Sequence, residues 1–280
     1  MNGADDRPSR AALYAAVAVI ALLVVVAIGG GAITPYDPAA QPDIVHGKNL
    51  PPSGAHPFGT DSYSRDVLSR VMAGTGNTFE VAALSVLVAV AIGAAIGAAS
   101  GYAGGRTDRW VSRAVDVVLA MPRLLVLIVL AAALGQLHVT GLILALGLTG
   151  WPGVSRIVRA QVRDVAALDY VTAARALGVP PRRILVRHVL PAVAPTILVA
   201  ATLAVATVIP LEAGLSFLGF GIPAPNPSWG NIMFDGYDQG LHTWWLLVFP
   251  GVAIVATVLA VNVIGDRLRA VFDPRLRTPV

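Results

Sequence analysis

Four carboxylates lie in or beside strongly apolar segments of this 280-residue chain: Glu80, Asp116, Glu212 and Asp266. A charged group inside a bilayer is costly and usually functional, so each is a candidate proton carrier or substrate contact. Glu80 and Glu212 are expected near one end of their segments, and the other two near the opposite end, where water is close. This placement disfavours a proton-driven carrier. Asp116 and Arg123, two helical turns apart, are predicted to pair.

Residue patterns typical of enzymatic chemistry are missing from the sequence. No G-x-x-x-x-G-K-[ST] phosphate-binding loop occurs, so the chain is not expected to bind ATP. The five histidines lack metal-ligand spacing, and no G-x-S-x-G nucleophile elbow is present. The absence of cysteine excludes disulfides and thiolate metal sites. We therefore expect no catalytic residue, no metal site and no cofactor in this chain, and an intramembrane hydrolase is disfavoured.

A basic block at residues 169–191 separates two apolar segments and reads D-Y-V-T-A-A-R-A-L-G-V-P-P-R-R-I-L-V-R-H-V-L-P. Its first half predicts a short helix with a face of small side chains, Ala173, Ala174 and Ala176. Gly178 suits the left-handed residue that ends a helix, and the two prolines that follow prevent its continuation. Such a helix is shaped to dock into a groove of another protein. An ordinary surface helix is the alternative.

The block resembles the EAA loop of the membrane permease subunits of ABC importers, with Gly178 on the glycine of that motif. Further motifs, in the same order as in that family, extend the resemblance to nearly the whole chain. They are His56-Pro57-Phe58-Gly59-Thr60-Asp61, Arg65-Asp66, Gly101-Tyr102-Ala103-Gly104-Gly105, Glu212-Ala213-Gly214-Leu215-Ser216-Phe217-Leu218-Gly219, Pro227-Ser228-Trp229-Gly230, Asn262, Gly265-Asp266-Arg267-Leu268-Arg269 and Asp273-Pro274-Arg275. Together they are similar to the C-type permeases of the dipeptide/oligopeptide/nickel group. The motifs are specific for family and much less specific for substrate.

The resemblance implies an all-α integral membrane protein with the type I ABC importer permease fold. Six transmembrane helices and a cytoplasmic EAA coupling helix at about 164–180 are expected. The residues it assigns to coupling with ATPase subunits are Asp169, Tyr170, Thr172, Ala173, Ala174, Arg175 and Gly178. Thr172 stands where many family members carry glutamate, which leaves the acidic contact of this helix open. The residues assigned to a gate or to the translocation path are Pro210, Glu212, Ser216 and Phe217.

The resemblance also implies partners. They are a homologous second permease subunit, two ATP-binding cassette subunits that would bind ATP and Mg, an extracytoplasmic solute-binding protein and membrane lipid, but no nucleic acid. The chain would form half of a translocation path for di- or oligopeptides. Nickel chelates, glutathione or another small solute are alternative cargoes for the same fold. A secondary transporter is a remote alternative, because it should show buried mid-membrane charges and an internal repeat.

Composition agrees with a membrane protein, since 56% of the residues are hydrophobic, 13% are charged and the mean hydropathy is +0.72. Six apolar segments approach the ~20 residues that a spanning helix needs. They lie at about 11–33, 80–103, 115–135, 139–155, 190–213 and 243–264. The first segment is too long for the core of a signal peptide, so an uncleaved anchor is expected.

The basic residues predict the orientation of these segments. With residues 1–10 in the cytoplasm, sixteen basic residues lie inside, and only Lys48, Arg65 and Arg70 lie outside. Both termini are therefore predicted to be cytoplasmic, and the resemblance adds a bacterial inner membrane. Residues 11–280 are predicted to form one permease domain. Its coupling loop spans about 156–189, and its outer loops span about 34–78 and 214–242.

A stripe of small residues, Ala89, Gly93, Gly97 and Gly101, recurs every four positions in the second segment. Such a stripe lets helix backbones approach closely in lipid, and packing within this chain is favoured over a subunit interface.

Aromatic residues and prolines mark the outer ends of the last two segments. Trp229, Trp244 and Trp245 suit the interfacial belt, and the 214–242 loop is predicted to form an ordered cover over the outer mouth. Pro210 and Pro250 could set helix breaks around a gate, although ordinary kinks are favoured.

Overall fold

The fold was analysed in a computed structural model that describes residues 9–135, 138–223 and 225–272. These residues form helices joined by turns, and the described ranges contain no β-strand beyond one bridge between Thr60 and Asp66. The helices are α1 (Arg10–Ile33), α2 (Val67–Ala103), α3 (Gly105–Ala120), α4 (Arg123–Leu134), α5 (Val139–Ala166), α6 (Asp169–Ala176), α7 (Pro181–Ile184), a π-helical segment (Leu185–Val189), α8 (Leu190–Phe217), α9 (Trp229–Asp238), a 3-10 turn (Leu241–Thr243) and α10 (Trp245–Phe272). The predicted all-α class is confirmed. The Asp273-Pro274-Arg275 motif and residues 1–8 lie outside the described residues.

Five helical runs are long and apolar enough to cross a membrane: α1, α2, α5, the continuous run 181–217 and α10. The sixth predicted span, 115–135, is not a single helix. It consists of α3 and α4, which meet at an angle of 79°. Pro122 causes the break, because proline has no amide proton and disfavours the helical conformation of the residue before it. The count of six spans holds when this bent pair is taken as one.

Helix α2 begins at Val67, so the outer loop predicted at 34–78 ends at residue 66. The Asp66 carboxylate caps the helix by accepting from the Ser69 amide at 2.8 Å. The first turns of α2 contain polar residues, so the apolar pattern of the sequence did not show that the helix begins at Val67. Glu80 thus lies well inside α2 rather than at its start, and it borders an open cavity of about 760 Å³ beside α1 and residues 225–227.

The remaining spans extend beyond their apolar segments. Helix α5 continues to Ala166, and a two-residue turn separates it from α6, so the predicted helix at 164–180 is wrong at its start. The chain changes direction there because Leu168 adopts an extended conformation (φ −69°, ψ 148°). Pro210 and Pro250 lie inside continuous helices, so the alternative of helix breaks at these prolines is wrong.

The small-residue stripe of α2 packs against α5. A Cβ atom added to Gly93, Gly97 or Gly101 would lie 2.7, 2.6 or 2.7 Å from a carbonyl oxygen of α5. The two backbones are therefore in direct contact over about two helical turns. The prediction that the stripe packs within this chain is confirmed.

The 34–66 loop, α9 and the start of α10 form one layer, which we call the outer cap after its predicted side. Its centre is Asp61, which is fully buried and accepts from Arg65 at 2.6 Å and from Arg70 at 2.5 Å. Asp235 of α9 accepts from the same two arginines at 3.1 and 2.7 Å. The predicted order of the 214–242 loop is present in α9, and two of the three basic residues on this side are paired with carboxylates.

Two of the three tryptophans assigned to the interfacial belt are buried, so that assignment is wrong for them. Trp229 donates its indole N–H to the Val71 carbonyl at 3.2 Å, and Trp245 donates to the Thr60 carbonyl at 3.0 Å. A buried indole N–H needs an acceptor, so Trp229 fixes α9 to α2 and Trp245 fixes the start of α10 to the 34–66 loop. Trp244 is 48% exposed, as a belt residue would be.

Carboxylates and arginines also pair at the opposite end of the bundle. Asp108 of α3 binds the Arg159 guanidinium through both of its oxygens. Asp116 accepts from Arg156 at 2.5 Å, so the predicted pair of Asp116 with Arg123 is wrong. The helix break at Pro122 removes the regular two-turn spacing on which that prediction depended.

Candidate functional site

Helix α6 is short, and its charges suit its ends. Asp169 lies in the first turn and Arg175 in the last turn, where each opposes the partial charge of the helix dipole. The chain enters the helix from the extended Leu168, immediately after α5. The helix is therefore attached to the end of the longest packed pair in the bundle, α2 with α5.

Gly178 ends this helix in a Schellman motif. Its φ is +77°, and its amide donates to the Arg175 carbonyl at 3.1 Å. The Val179 amide reaches back to the Ala174 carbonyl at 3.2 Å. The predicted left-handed glycine is confirmed. This turn sets the direction in which the chain re-enters the membrane through α7.

One side of α6 is anchored in a cluster of apolar side chains, which we call the inner cluster. Its buried members are Ala98, Val154, Val158, Val162, Val165, Val171, Ile184, Val189 and Val193. They come from α2, α5, α6, α7, the π-helical segment and α8. Val171 is the contribution of α6, and it is completely buried. A force on α6 would thus reach three membrane-spanning helices through direct contacts, because close-packed cores transmit displacement.

The opposite side of α6 presents Tyr170, Ala173 and Leu177, which we call the docking stripe. Tyr170 is 46% exposed and Leu177 is 83% exposed, and the small Ala173 lies between them. The spacing i, i+3, i+7 places all three on one face of a helix. Sequence reasoning missed Leu177, although its seven-residue distance from Tyr170 was a usable signal.

The structure separates the other residues predicted for coupling. Ala174 packs against the inner cluster, so the prediction that it lies on a docking face is wrong; it shares the face of Val171, three positions earlier. Arg175 lies over the Tyr102 ring of α2, with its Cζ 5.5 Å from the ring centroid. Asp169 and Thr172 are exposed beside the docking stripe. Tyr102 is a contact of α6 that sequence reasoning did not assign.

The residues predicted for a gate or path divide into two groups. Glu212 and Ser216 are buried within the chain. The Ser216 hydroxyl donates to Glu212 at 2.7 Å and accepts from the Ile222 amide at 3.1 Å. These two residues fold the chain back at the end of α8, and in this conformation they line no open surface, contrary to the prediction. Ser216 satisfies one carboxylate oxygen of Glu212, and the other, Oε2, is buried with no hydrogen-bond partner among the described residues.

Phe217 and Pro210 lie nearer the surface. Phe217 packs edge-on against Tyr237 of α9, with the ring centroids 5.5 Å apart. It therefore attaches α8 to the outer cap. Pro210 is exposed on the side of α8 and remains compatible with a position on a path.

Within residues 9–135, 138–223 and 225–272, no group of three or more histidine or acidic side chains could hold a metal ion. The most distinctive surface feature is instead a short helix with an apolar stripe, fixed rigidly to the membrane bundle. Such a feature is suited to transmitting the movement of a bound partner.

Residues 74–278 match a protein family described as the inner membrane component of binding-protein-dependent transport systems. A putative peptide transport system permease protein of Brucella suis is 38% identical over 261 residues, which cover 92% of this chain and 86% of that protein. The dipeptide transport system permease protein DppC of Bacillus subtilis is 39% identical, covering 92% of this chain and 80% of that protein. The oligopeptide transport system permease protein OppC of the same organism is 37% identical, covering 92% and 84%.

A solved structure supports the fold. An inward-facing conformation of the MetNI methionine ABC transporter contains a chain that superposes with a TM-score of 0.61. The match covers 72% of this chain and 96% of that chain, at 21% sequence identity. At this identity the likeness concerns the arrangement of the helices.

Proposed function

We propose a function on one premise: the chain belongs to the family of binding-protein-dependent transport system inner membrane components. It is a multi-pass permease subunit of an ABC transporter and not a catalytic enzyme. The proposal is that it imports di- or oligopeptides and forms half of their path across a bacterial inner membrane. The observation that carries the peptide assignment is the set of relatives above 35% identity whose names specify peptide, dipeptide or oligopeptide transport. Nickel chelates, glutathione or another small solute are the alternative cargoes.

In this proposal α6 is the surface that meets an ATPase subunit. The docking stripe supports it, because exposed apolar residues on a short charged helix are unfavourable unless a partner covers them. Tyr170 and Leu177 would enter a groove, and the small Ala173 between them would allow close approach. The proposed partners are two ATP-binding cassette subunits, which bind ATP and Mg, a homologous second permease and an extracytoplasmic solute-binding protein.

The mechanism follows from how α6 is attached. Closure of the ATPase subunits around ATP would displace α6, and the inner cluster would carry that displacement into α2, α5 and α8 as a rigid body. The small-residue stripe keeps α2 and α5 together during this movement. The two permease subunits would then rock between inward-open and outward-open states, which is alternating access.

The test of this function is peptide uptake by the complete transporter in proteoliposomes. The vesicles contain this chain, its second permease and the ATPase subunits, and the solute-binding protein is added on the outer side. We expect uptake of a radiolabelled di- or tripeptide that requires ATP inside and the loaded binding protein outside. Uptake of nickel chelate or glutathione, but of no peptide, would replace the proposed cargo while leaving the permease assignment intact.

We expect both termini and α6 to face the cytoplasm, and cysteine labelling tests this orientation. The chain has no cysteine, so single cysteines report without background. Suitable positions are Val45 in the 34–66 loop, Tyr237 in α9 and Leu177 directly after α6, which are 74%, 67% and 83% exposed. An impermeant thiol reagent should label the first two on intact cells and the third only after lysis.

External labelling at position 177 would invert the proposed topology.

A further inference from the structure

The break between α3 and α4 lies deep in the membrane. Arg123, the first residue of α4, donates to the Leu146 carbonyl at 2.6 Å and to the Thr149 hydroxyl at 3.2 Å. These two residues lie seven and ten positions after the first residue of α5. At 1.5 Å per residue, the guanidinium is about 10–15 Å along a helix that crosses a hydrocarbon core about 30 Å thick. Arg123 is therefore near mid-membrane.

The charge of Arg123 has no carboxylate partner among the described residues. Both of its hydrogen-bond acceptors are neutral, and the nearest acid along the chain, Asp116, is bound by Arg156. The two bonds use Nε and Nη2, and Nη1 makes no hydrogen bond within the described ranges. An uncompensated charge at this depth is costly, so its retention indicates a function.

The surroundings of Arg123 hold the guanidinium in place while leaving one side open. Gly150 provides the space, because a Cβ there would lie 2.9 Å from Nη2. Next to the arginine, Met121 is 52% exposed and Leu125 is 59% exposed, so the break opens onto the surface of the chain. The first amides of α4 lack a side-chain cap and add positive potential at the same point.

We propose that Arg123 binds the carboxylate of the transported substrate at the helix break, midway through the membrane. The inference rests on the proposed function, because every unmodified peptide carries a carboxylate at its C-terminus. Guanidinium and carboxylate form two parallel hydrogen bonds, for which Nη1 and the second proton of Nη2 are available. A discontinuous helix whose N-terminus faces an anionic substrate group is a recurrent way of building such a site in transporters. A lipid phosphate is excluded as the natural ligand by depth, since head groups lie at the membrane surface.

The first experiment measures the local potential and needs no substrate. Met121→Cys is introduced into the complete transporter, and its modification rate is compared for a methanethiosulfonate carrying a sulfonate and one carrying a trimethylammonium. We expect Arg123→Gln to lower the ratio of the anionic reagent's rate to the cationic reagent's rate about tenfold, because the variant removes a positive charge close to the reporter. An unchanged ratio contradicts the inference. An unreactive cysteine at position 121 also contradicts it, because another subunit would then cover the break.

The second experiment measures uptake in the same proteoliposomes. Arg123→Gln should lower peptide uptake about tenfold or more, and Arg123→Lys should lower it less, because lysine keeps the charge but loses the two-pronged geometry. Arg156→Gln is the matched control, since Arg156 is paired with an exposed carboxylate, and uptake by that variant should match the unmodified transporter. Co-purification of the second permease is measured for each variant.

The outcomes separate the possible explanations. Normal assembly with lost uptake in Arg123→Gln supports the substrate role. Lost assembly of Arg123→Gln, rescued by Arg123→Lys, shows that the arginine pairs with an acid of the second permease, and this overturns the inference. Absence of peptide uptake by the unmodified transporter contradicts the proposed function, whereas normal uptake by Arg123→Gln contradicts only the role of Arg123.

Discussion

Gly178→Val is expected to abolish most of the stimulation of ATP hydrolysis by the loaded solute-binding protein, while the permease still inserts and assembles. The φ of +77° at this position costs a non-glycine residue roughly 1–2 kcal/mol, and a β-branched residue more. No other atom lies within 4 Å of an added Cβ, so the effect acts through the backbone and not through a local clash. The Schellman turn would open, and α6 would lose its fixed orientation on the inner cluster.

Gly178→Asn is the matched control, because asparagine tolerates the left-handed conformation better than other residues with a side chain. The reconstituted transporter with asparagine at this position should keep at least half of the stimulated ATPase activity. The measurement is ATP hydrolysis with and without the loaded binding protein, together with the amount of permease in the purified complex. Full stimulation of the valine variant would show that the orientation of α6 does not control coupling.

Gly97→Leu is expected to cause a large loss of stability in the α2–α5 contact. An added Cβ would lie 2.6 Å from the Ser155 carbonyl and 3.1 Å from the Arg159 amide nitrogen. These are backbone atoms, so the two helices must separate along their length. Overpacking of this kind costs about 1–3 kcal/mol, which corresponds to a fall in Tm of roughly 2–12 °C for a chain of this size.

Gly251→Leu is the control for the general effect of replacing a helical glycine. Nothing lies within 4 Å of a Cβ at Gly251 on α10. The Tm of the Gly251→Leu variant should therefore fall by less than a third of the fall expected for Gly97→Leu. The Tm of each variant is measured by heating the purified complex in detergent and quantifying the remaining folded complex by size-exclusion chromatography. Equal loss from both would mean that the close approach of α2 and α5 contributes little to stability.

Local signals in the sequence predicted the features that depend on neighbouring residues. Gly178 followed by Pro180-Pro181 predicted the end of α6, and the four-residue repeat of small residues predicted the face of α2 that packs most closely. The apolar segments predicted the number of spans, because a bilayer requires about 20 apolar residues in one helix.

Features that depend on contacts between distant residues could not be predicted from local sequence signals. Asp61 and Asp235 share two arginines although they are 174 positions apart, and this network is what buries the polar start of α2. The same long-range contacts bury Trp229 and Trp245, which local composition placed in the membrane interface. Glu212 was assigned to a path because a charge beside an apolar segment is usually functional, whereas its side chain is fully buried within the chain and accepts a hydrogen bond from Ser216.

Crosslinking at the docking stripe tests whether α6 receives the movement of the ATPase subunits. Ala173→Cys is combined with a single cysteine in the groove of the ATPase subunit, and Val45→Cys at the opposite end of the chain is the control. We expect the cysteine at position 173 to form a crosslink to the ATPase subunit, with a yield that differs between the nucleotide-free and ATP-bound states. The cysteine at position 45 should form no crosslink. A complex with normal ATPase activity and no crosslink from position 173 in either state would contradict the proposed role of α6.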